Sequence, residues 1–449
     1  MGGRYEDGPE IVPRPELREV LSPYVPFYKE NVLYTGVLKD FLYPYEFTGW
    51  KDEQLSWKKT CYLHGGLNPS PTYRFSGPGA AEFLSKYCVN TFKKFPVGSG
   101  KHCITCDEDG IITSDGVILR TGEDVFVTYW MWSLAMAAGT EAGNYDMKFE
   151  DQSSEMFLFQ VGGPSSLSVL EAATGDDLHD IRFMRLKMSS ICGKQVRIVR
   201  MGMAGSLAYE VHGDLKYAKE IYDAIYQAGI PFGIRRLGWH AYMMQHTENG
   251  FPQFGDHFIM KLPGAPSNKG NVKGSIGPEA DGYANPYELG WGGSVKFDHE
   301  FVGRKALEEI AANPKRKPVS LEWNKDDILK VYASRFEEGE PYQDFDRVND
   351  MVYVGGGTVL HQDKVLNSKG EEIGYSAGRG YTYYYRSMIS IAVLDIPYAE
   401  EGTEVTVVWG DPGTRQINIR AKVTRFPYFN EHRNQKFDVE TVAAVNRQS

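Results

Sequence analysis

The chain has 449 residues, of which 42% are hydrophobic and 13% aromatic, enough to build the cores of two or three globular domains. Its 49 basic and 59 acidic side chains give a net charge of −10, which argues against a general nucleic-acid or anionic-membrane surface and favours a small-molecule partner. The start, MGGRYEDGPE, lacks the pattern of a signal peptide, and the most apolar run, VFVTYWMWSLAMAAG, is too short to cross a bilayer, so we expect a cytoplasmic protein.

The first half of the chain predicts an extension followed by strands and helices. Residues 1–50 are expected to form an N-terminal extension on the main body. The stretch TYRFSGPG is typical of a strand ending in a turn, and AAEFLSKYC has apolar residues at helical spacing. EDGIITSDGVILRTGEDVFVTYW predicts a β-meander around a Gly-Glu-Asp turn. PSSLSVLEAATG predicts a helix that ends before Gly175.

The cysteines do not predict a metal site. There are five, an odd number in a large chain, which fits a reducing compartment. Cys103 and Cys106 have C-x-x-C spacing beside His102, but the other cysteines provide no second ligand pair. We therefore expect these thiols to pack as small apolar groups, with a redox role of the pair as the alternative.

The middle of the chain predicts two strands, two helices and a loop. VRIVRMGMAGSLAYEVHG predicts a pair of strands. DLKYAKEIYDAIYQAG predicts a helix that Asp214 caps and Gly229 ends, with an apolar face formed by Ala218, Ile221, Tyr222, Ile225 and Ala228. RRLGWHAYMMQHTENG predicts another helix, and the Gly- and Pro-rich PGAPSNKGNVKGSIGPEADG predicts a long surface loop near a site or partner.

A change of pattern near NPKRKP predicts a domain boundary between Asn313 and Pro318. Beyond it, VSLEW, EIGYSAGRGYTYYYRSMISIAVLDI and EVTVVWG are typical of strands separated by turns. We expect residues 51–315 to form two interleaved α+β subdomains and residues 316–449 a β-rich domain.

Glu210 is the most informative single residue, because it is a carboxylate inside the apolar strand that follows the glycine stretch of GMAGSLAYEVHG. A carboxylate on a rigid strand can accept two parallel N–H donors at once, such as the ring N3–H and the 2-amino group of a pterin. The commoner alternative for such a glutamate is contact with solvent or with a lysine.

Several motifs occur in an order that resembles a known family. They are EDGIITSDGVI, the glycine stretch ending in YEVHG, LGWHAYMMQHTENG, NPYELGWGGSVKFDHEFVGRKAL and VSLEWNKDDILKVYAS. This order resembles the glycine-cleavage T-protein superfamily of folate-dependent aminomethyltransferases, and more closely its aryl methyl ether O-demethylase branch of the vanillate and syringate type. The resemblance covers approximately residues 50–430.

The resemblance implies an α+β, three-domain folate-binding fold of the aminomethyltransferase type, with a β-barrel at the C-terminal end. It implies tetrahydrofolate in a central cavity, with Glu210 on the pterin; we also expect Tyr209 and Gln160 at the cofactor. The implied reaction removes a methyl or methylene group from an aromatic ether and leaves a phenol or catechol. This displacement at carbon requires no metal.

The leaving oxygen needs a hydrogen-bond donor or acid, because a phenolate leaves poorly while its charge is unshielded. On a helix, Trp239, Tyr242, Met243 and His246 share one face. The resemblance places Tyr242 at the substrate, so we expect it to be the donor, with His246 assisting. The alternative from spacing alone is that this face belongs to the aromatic core.

Two further residues are expected at the reacting centre. The aminomethyltransferases have two consecutive aspartates where this chain has Ser114 and Asp115, so Asp115 is the surviving candidate and glycine-cleavage activity is disfavoured. Where the families have a stretch resembling FDxxH, this chain reads LHGGLNPS, with Gly65 and Asn68 at the two key positions. Asn68 can donate a hydrogen bond but cannot transfer a proton.

The substrate is expected to be a neutral, flat aromatic ether. The demethylases acting on benzoates have an arginine where our alignment places Tyr129, and Tyr129, Trp130 and Trp132 offer large rings without a guanidinium. Phe251 is a fourth candidate, and burial of these rings in a core is the alternative. A methoxyphenyl or methylenedioxyphenyl compound fits. The rival functions are a glycine-cleavage aminomethyltransferase and a folate-binding protein without catalysis.

Overall fold

The computed structural model describes residues 33–37, 41–68, 70–345, 352–354, 357–443 and 445, so most of the predicted extension at 1–50 lies outside the described residues. In chain order the strands of the two N-terminal sheets and of a leading hairpin are β1 (Leu33–Val37), β2 (Phe41–Glu46), β3 (Cys61–His64), β4 (Thr72–Ser76), β5 (Ser99–Cys106), β6 (Ile112–Gly122), β7 (Val125–Tyr129), β8 (Lys148–Asp151), β9 (Met156–Gly162), β10 (Leu186–Ile191), β11 (Lys194–Val199), β12 (Ala208–Asp214) and β13 (Ile234–Arg236). The remaining strands are β14 (Val272–Lys273), β15 (Arg316–Trp323), β16 (Val352–Val354), β17 (Gly357–Leu366), β18 (Glu372–Thr382), β19 (Ser387–Asp395), β20 (Glu404–Trp409) and β21 (Ile417–Thr424). The helices are α1 (Trp50–Lys59), α2 (Ala80–Tyr87), α3 (Trp132–Glu141), α4 (Ser166–Thr174), α5 (Ala218–Gly229), α6 (Trp239–Asn249), α7 (Arg304–Ala312) and α8 (Lys325–Ala333).

The first sheet has the strand order β10-β11-β12-β9-β3-β13 and is antiparallel except for the pairing of β13 with β3. Helices α4 and α5 cover one of its faces, where Leu170 and Ile225 pack with Phe159 and Val211 in a buried core. The apolar residues of both helices recur at helical spacing, so each helix buries one stripe on the sheet. The opposite face of this sheet packs towards the second sheet.

The second sheet has the order β5-β6-β7-β4-β8, and its strands lie in the chain between β3 and β9 of the first sheet. Helices α2 and α3 cover its outer face, where Phe83 and Leu134 pack with Phe75 and Phe126. The inner faces of the two sheets meet in a common apolar core that includes Leu119, Leu158 and Met243 of α6. Because each sheet is covered outside by helices, the space between the sheets is the natural place for a ligand.

The C-terminal strands close into a barrel in the order β17-β18-β19-β15-β21-β20, with β20 pairing back to β17. Alternate residues of these strands point inward, and Trp323, Phe345 and Trp409 fill the interior. The interleaved sheets and this barrel confirm the predicted α+β fold class with a β-rich C-terminal barrel.

A buried ion pair joins α1 to α6, and the same lysine contacts the segment after the barrel. Lys58 of α1 lies 2.7 Å from Glu248 of α6, and their side chains are 2% and 1% exposed. The Lys58 ammonium also lies 3.3 Å from the ring centre of Phe429. Loss of one partner leaves an uncompensated buried charge, which typically destabilises a protein by ~3–5 kcal/mol.

After the barrel, the chain returns to the first sheet. The guanidinium of Arg200 donates to the side-chain and main-chain oxygens of Asn434 at 3.1 and 2.8 Å. Arg433 donates to the main chain of Asn249 at the end of α6, at 3.1 Å. We call residues 433–443 the C-terminal strap, and these contacts hold it against the sheet that carries Glu210.

Three predicted elements differ in detail from the structure. The helix predicted from Asp214 begins at Ala218, because Asp214 accepts from the N–H of Lys216 and caps a single 3-10 turn instead. Its buried face ends with Gly229 rather than Ala228, since Ile234 leaves no room for a side chain at 229. The predicted surface loop contains the short strand β14.

The most apolar stretch, VFVTYWMWSLAMAAG, is divided between β7 and α3. In the part of the chain that the structure describes, we find no helix with the length and apolar character needed to span a bilayer. All five cysteines are free: Cys61, Cys88, Cys103 and Cys106 are buried, as expected for thiols that pack as apolar groups, whereas Cys192 is exposed.

Candidate active site

A cavity of about 520 Å³ lies between the inner faces of the two sheets. This volume is within the range of small-molecule sites, and the walls come from β5 to β7, β12, the start of α6, the loop after α6 and the strap. Seven predicted site residues line it: Asp115, Tyr129, Trp130, Trp132, Glu210, Tyr242 and Phe251. A larger groove of about 1440 Å³ runs along the barrel, but it is lined by none of the predicted residues.

Glu210 lies on the cavity side of β12, between β9 and β11, and is 3% exposed. Because side chains alternate across a strand, its neighbours Tyr209 and Val211 lie in the core against α4 and α5. The preceding glycine stretch turns tightly: Gly205 has φ +75°, and a side chain there would meet Asn249. The fold therefore fixes a buried carboxylate on a rigid strand at a cavity wall.

Glu210 ends a chain of hydrogen bonds that crosses from one sheet to the other. His212 Nε2 lies 3.0 Å from the Glu210 carboxylate, and the Tyr129 hydroxyl lies 2.8 Å from His212 Nδ1. Arg197 donates to the Tyr129 oxygen at 3.3 Å. Burial lowers the pKa of His212, so the ring is neutral at pH 7 and donates from Nε2 while accepting at Nδ1. This chain orients the Glu210 carboxylate.

Tyr242, in the first turn of α6, contacts two histidine rings, one on β3 and one on α6. Its ring stacks on His64, with centres 4.1 Å apart and an angle of 10°, and meets the edge of His246 at 5.2 Å. Gly66 permits the stack, since a side chain there would lie 2.6 Å from the His64 ring. The phenol therefore has one fixed direction at the cavity wall.

The histidines beside Tyr242 predict acid sensitivity. Burial lowers the pKa of both His64 and His246 to about 4, whereas a histidine in an unfolded chain titrates near 6.5. As the pH falls from about 6.5 to about 4, these two histidines become protonated in the unfolded chain but stay neutral in the folded protein. The free energy of unfolding therefore falls by up to ~3 kcal/mol for each ring. Urea unfolding at pH 7.5, 6 and 5 measures this slope. His246→Gln should reduce it, and an unchanged slope in that variant would contradict the assignment.

Asp115 pairs with a histidine that the sequence analysis considered only as a neighbour of the C-x-x-C pair. His102 Nε2 lies 3.1 Å from the Asp115 carboxylate, and the two side chains are 20% and 13% exposed. Both residues line the cavity. Ser114, which replaces the first aspartate, is fully buried and accepts from the N–H of Ser133 at 3.0 Å, so it lies in the framework behind Asp115.

Aromatic rings form the wall near this pair. Trp130 and Trp132 meet edge to face at 5.5 Å, and Trp130 has φ +65°, a conformation that costs energy for a residue with a side chain. Phe251 also lines the cavity, with its ring centre 5.0 Å from that of His102. Tyr129 differs, because its hydroxyl is bonded to His212 and Arg197. The wall is thus suited to a flat aromatic ring.

Although no arginine stands at position 129, two guanidinium groups lie at or close to the cavity. Arg197 reaches the hydroxyl of Tyr129, and Arg433 of the strap lines the cavity. A comparison at position 129 alone cannot detect such contacts. Arg433, for example, lies more than 300 residues from Tyr129 in the sequence. The residue at position 129 therefore does not by itself decide the charge of the substrate.

Four predicted site residues lie outside the lining of the cavity. Asn68 is fully buried and bonded to the main chain of Leu158 in both directions, at 2.5 and 2.8 Å. Tyr209 points to the opposite side of the sheet. Gln160 lies beneath the wall, where it accepts from Tyr62 at 2.5 Å, and His246 packs behind Tyr242. These residues can position the lining but do not reach a ligand in it.

Two of the missed residues carried a signal in the sequence. His212 is two residues beyond Glu210 on a predicted strand, which places both side chains on one face. His102 lies beside the C-x-x-C pair, six residues before the predicted meander that carries Asp115. The strap residues Arg433, Asn434 and Gln435 carried none, because nothing local relates them to the cavity.

Comparisons with known proteins agree with this architecture. The GCVT N-terminal domain family matches residues 47–261. Sesamin methylene transferase of Sinomonas sp. is 43% identical over 422 residues, which cover 89% of this chain and 93% of that protein. Syringate O-demethylase of Sphingobium sp. is 29% identical, with 86% and 89% covered. The crystal structure of the glycine cleavage system aminomethyltransferase T from Bartonella henselae superposes with a TM-score of 0.67 at 17% identity and covers 90% of this chain and 96% of its own.

Proposed function

Because the chain belongs to the glycine-cleavage T-protein superfamily, on the branch that contains aryl ether demethylases, we propose that it transfers the methylene carbon of a neutral methylenedioxyphenyl ether to tetrahydrofolate. It is a tetrahydrofolate-dependent one-carbon transferase that acts on aromatic ethers. The choice of a methylene group rests on the 43% identical relative, whose name specifies methylene transfer from sesamin. An aromatic ether can release a methylene carbon only where that carbon bridges two oxygens.

The residues of the cavity fit tetrahydrofolate. Glu210 places a buried carboxylate on the wall, oriented by His212, and a carboxylate is the acceptor that the paired N–H groups of a pterin require. The cavity of about 520 Å³ is large enough for the pterin and a flat substrate ring together. When bound, tetrahydrofolate supplies the amine nitrogens that accept the carbon.

Tyr242 carries the leaving-group chemistry in this proposal. The observation that carries the assignment is the stack of its ring on His64 at 4.1 Å, which fixes the phenol at the cavity wall. A phenol donates a hydrogen bond to an ether oxygen and stabilises the negative charge that develops when the carbon–oxygen bond breaks. Trp130, Trp132 and Phe251 are assigned to the substrate ring, and Asn68 and His246 to positioning.

The test is a product analysis. The protein is incubated with tetrahydrofolate and with neutral and carboxylated aryl ethers, each labelled with carbon-13 in the transferred group, and the folate product is analysed by mass spectrometry. We expect labelled methylene-tetrahydrofolate and a catechol from a neutral methylenedioxyphenyl ether. Labelled folate from methoxybenzoates alone would overturn the proposed substrate. Product formed only with an aminomethyl-loaded lipoyl carrier protein would instead identify a glycine-cleavage enzyme.

A further inference from the structure

The lining of the cavity carries, besides Tyr242, a histidine–carboxylate pair formed by His102 and Asp115. His102 lies on β5 opposite Val117 of β6, and Asp115 lies two residues before Val117, so both side chains project from the same face of the sheet. The pair is 3.1 Å apart and partly open to the cavity. Since Asp115 engages Nε2, proton exchange with a ligand falls to Nδ1 of His102.

The surroundings hold this pair rigidly. Asn90 donates to the His102 carbonyl at 2.9 Å and accepts from the Ile104 N–H at 2.9 Å, which fixes the backbone on both sides of the ring. The edges of Phe251 and Trp291 meet the imidazole at 5.0 and 4.9 Å. A histidine held by a carboxylate, with its ring clamped by aromatic groups, has the geometry of a general acid and base.

Methylene transfer requires the uptake of two protons by the leaving oxygens, whereas methyl transfer requires one. Two carbon–oxygen bonds break, each electron pair stays on its oxygen, and the resulting catechol takes up two protons. These equal the two N–H protons displaced when the carbon bonds to two nitrogens of tetrahydrofolate, and nothing is oxidised or reduced. Methyl transfer breaks one such bond and moves one proton. A methylene transferase therefore needs proton exchange at two oxygens.

The other titratable side chains on the described part of the lining make hydrogen bonds within the protein. Lys101 donates to the Thr91 carbonyl at 2.5 Å, and Arg433 donates to main-chain oxygens of Asn249 and Phe429. Glu210 and Tyr129 belong to the hydrogen-bond chain that orients the pterin acceptor. His102 is the remaining side chain on this part of the lining, beside Tyr242, that can both donate and accept a proton.

We propose that His102, positioned by Asp115, exchanges the proton of the second ether oxygen, so that Tyr242 and His102 serve one oxygen each. This inference rests on the proposed function, because it assigns the two proton sites of the same cavity. His102 is a catalytic residue in this scheme, and Asp115 is a positioning residue.

The first test compares two substrates in His102→Gln, which keeps a side-chain N–H donor but cannot transfer a proton. We expect turnover of a methylenedioxyphenyl ether to fall by about 10²-fold or more, while turnover of the matching methoxyphenyl ether changes little. A nitro group on the ring should restore part of the lost rate, because its phenolate leaves with less protonation. His299→Gln makes the same change at a histidine that is not part of the lining. Equal losses with both ethers, or no loss, would overturn the proposal.

The second test needs neither tetrahydrofolate nor turnover. The probe 4-nitrocatechol changes its visible absorbance when it ionises, so its pKa can be measured while it is bound to the protein. We expect that pKa to be about one unit higher in His102→Gln than in the natural protein, because the phenolate loses its partner, and to rise in Asp115→Asn as well. An unchanged pKa, or absence of probe binding, would overturn the assignment. If no ether is turned over by the natural protein while the probe responds as expected, the proposed function fails and the proton site stands.

Discussion

Tyr242→Phe should lower kcat for the aromatic ether by about 10² to 10⁴-fold, the usual contribution of a positioned proton donor. Phenylalanine keeps the ring that stacks on His64 and faces His246, so the cavity wall and the fold remain in place. Only the hydroxyl that faces the leaving oxygen is removed. Steady-state kinetics with the ether measures kcat and KM, and calorimetry should show tetrahydrofolate binding unchanged.

A matched control separates this effect from the loss of any buried tyrosine hydroxyl. Tyr73 is 8% exposed in the second sheet and packs on the outer face, away from the cavity. Tyr73→Phe should leave kcat within about twofold, since changes away from special features seldom exceed ~0.5 kcal/mol. If Tyr242→Phe retains full kcat, the leaving oxygen is served by another group and our assignment of the donor is wrong.

Glu210→Ala should weaken tetrahydrofolate binding by about 1.5 to 3 kcal/mol, the range for a hydrogen bond to a charged group. This corresponds to an increase in Kd of about 10- to 150-fold. Glu210→Gln should also weaken binding, because the amide turns one acceptor of the paired pterin N–H groups into a donor. Isothermal calorimetry with tetrahydrofolate measures both variants.

The control for Glu210 is Glu220→Gln, which alters an exposed carboxylate on α5. It should leave Kd unchanged. Binding that is equally tight in Glu210→Ala would show that the pterin lies elsewhere, and the orientation of Glu210 by His212 would then have no role in cofactor binding.

The alternation of side chains along strands explains where two of the predicted residues lie in the structure. Glu210 was singled out because a carboxylate in an apolar strand is unusual, and the structure places it on the cavity wall. The same alternation excludes Tyr209, which is adjacent and therefore on the opposite face, packed against the helices. The strand pattern in the sequence therefore already places Glu210 and Tyr209 on opposite faces of the sheet.

Helical spacing was less informative for α6. Trp239, Tyr242 and His246 share a face by spacing, yet every residue from His240 to Asn249 is buried, because the helix packs against both the N-terminal sheets and the barrel. A helix buried on all sides has no amphipathic stripe, so spacing cannot say which residues face a cavity. The choice of Tyr242 came from the family resemblance.

The remaining contacts depend on tertiary structure. The bond between Tyr129 and His212 joins strands of different sheets that are 83 residues apart in the chain. Asn68 was expected to face the reacting centre, but its amide is bonded to the backbone of Leu158, 90 residues away. Such pairs have no local signature, since the sheets that bring them together must form first.

The strap has a consequence for the order in which the molecule is made. Arg433, Asn434 and Gln435 are wall residues, and the ribosome adds them after every other residue of the wall. The two sheets can fold as soon as their own strands have emerged, but they then enclose a space with one side missing. The wall at which we propose that tetrahydrofolate binds is therefore complete only after the strands of the barrel have been synthesised.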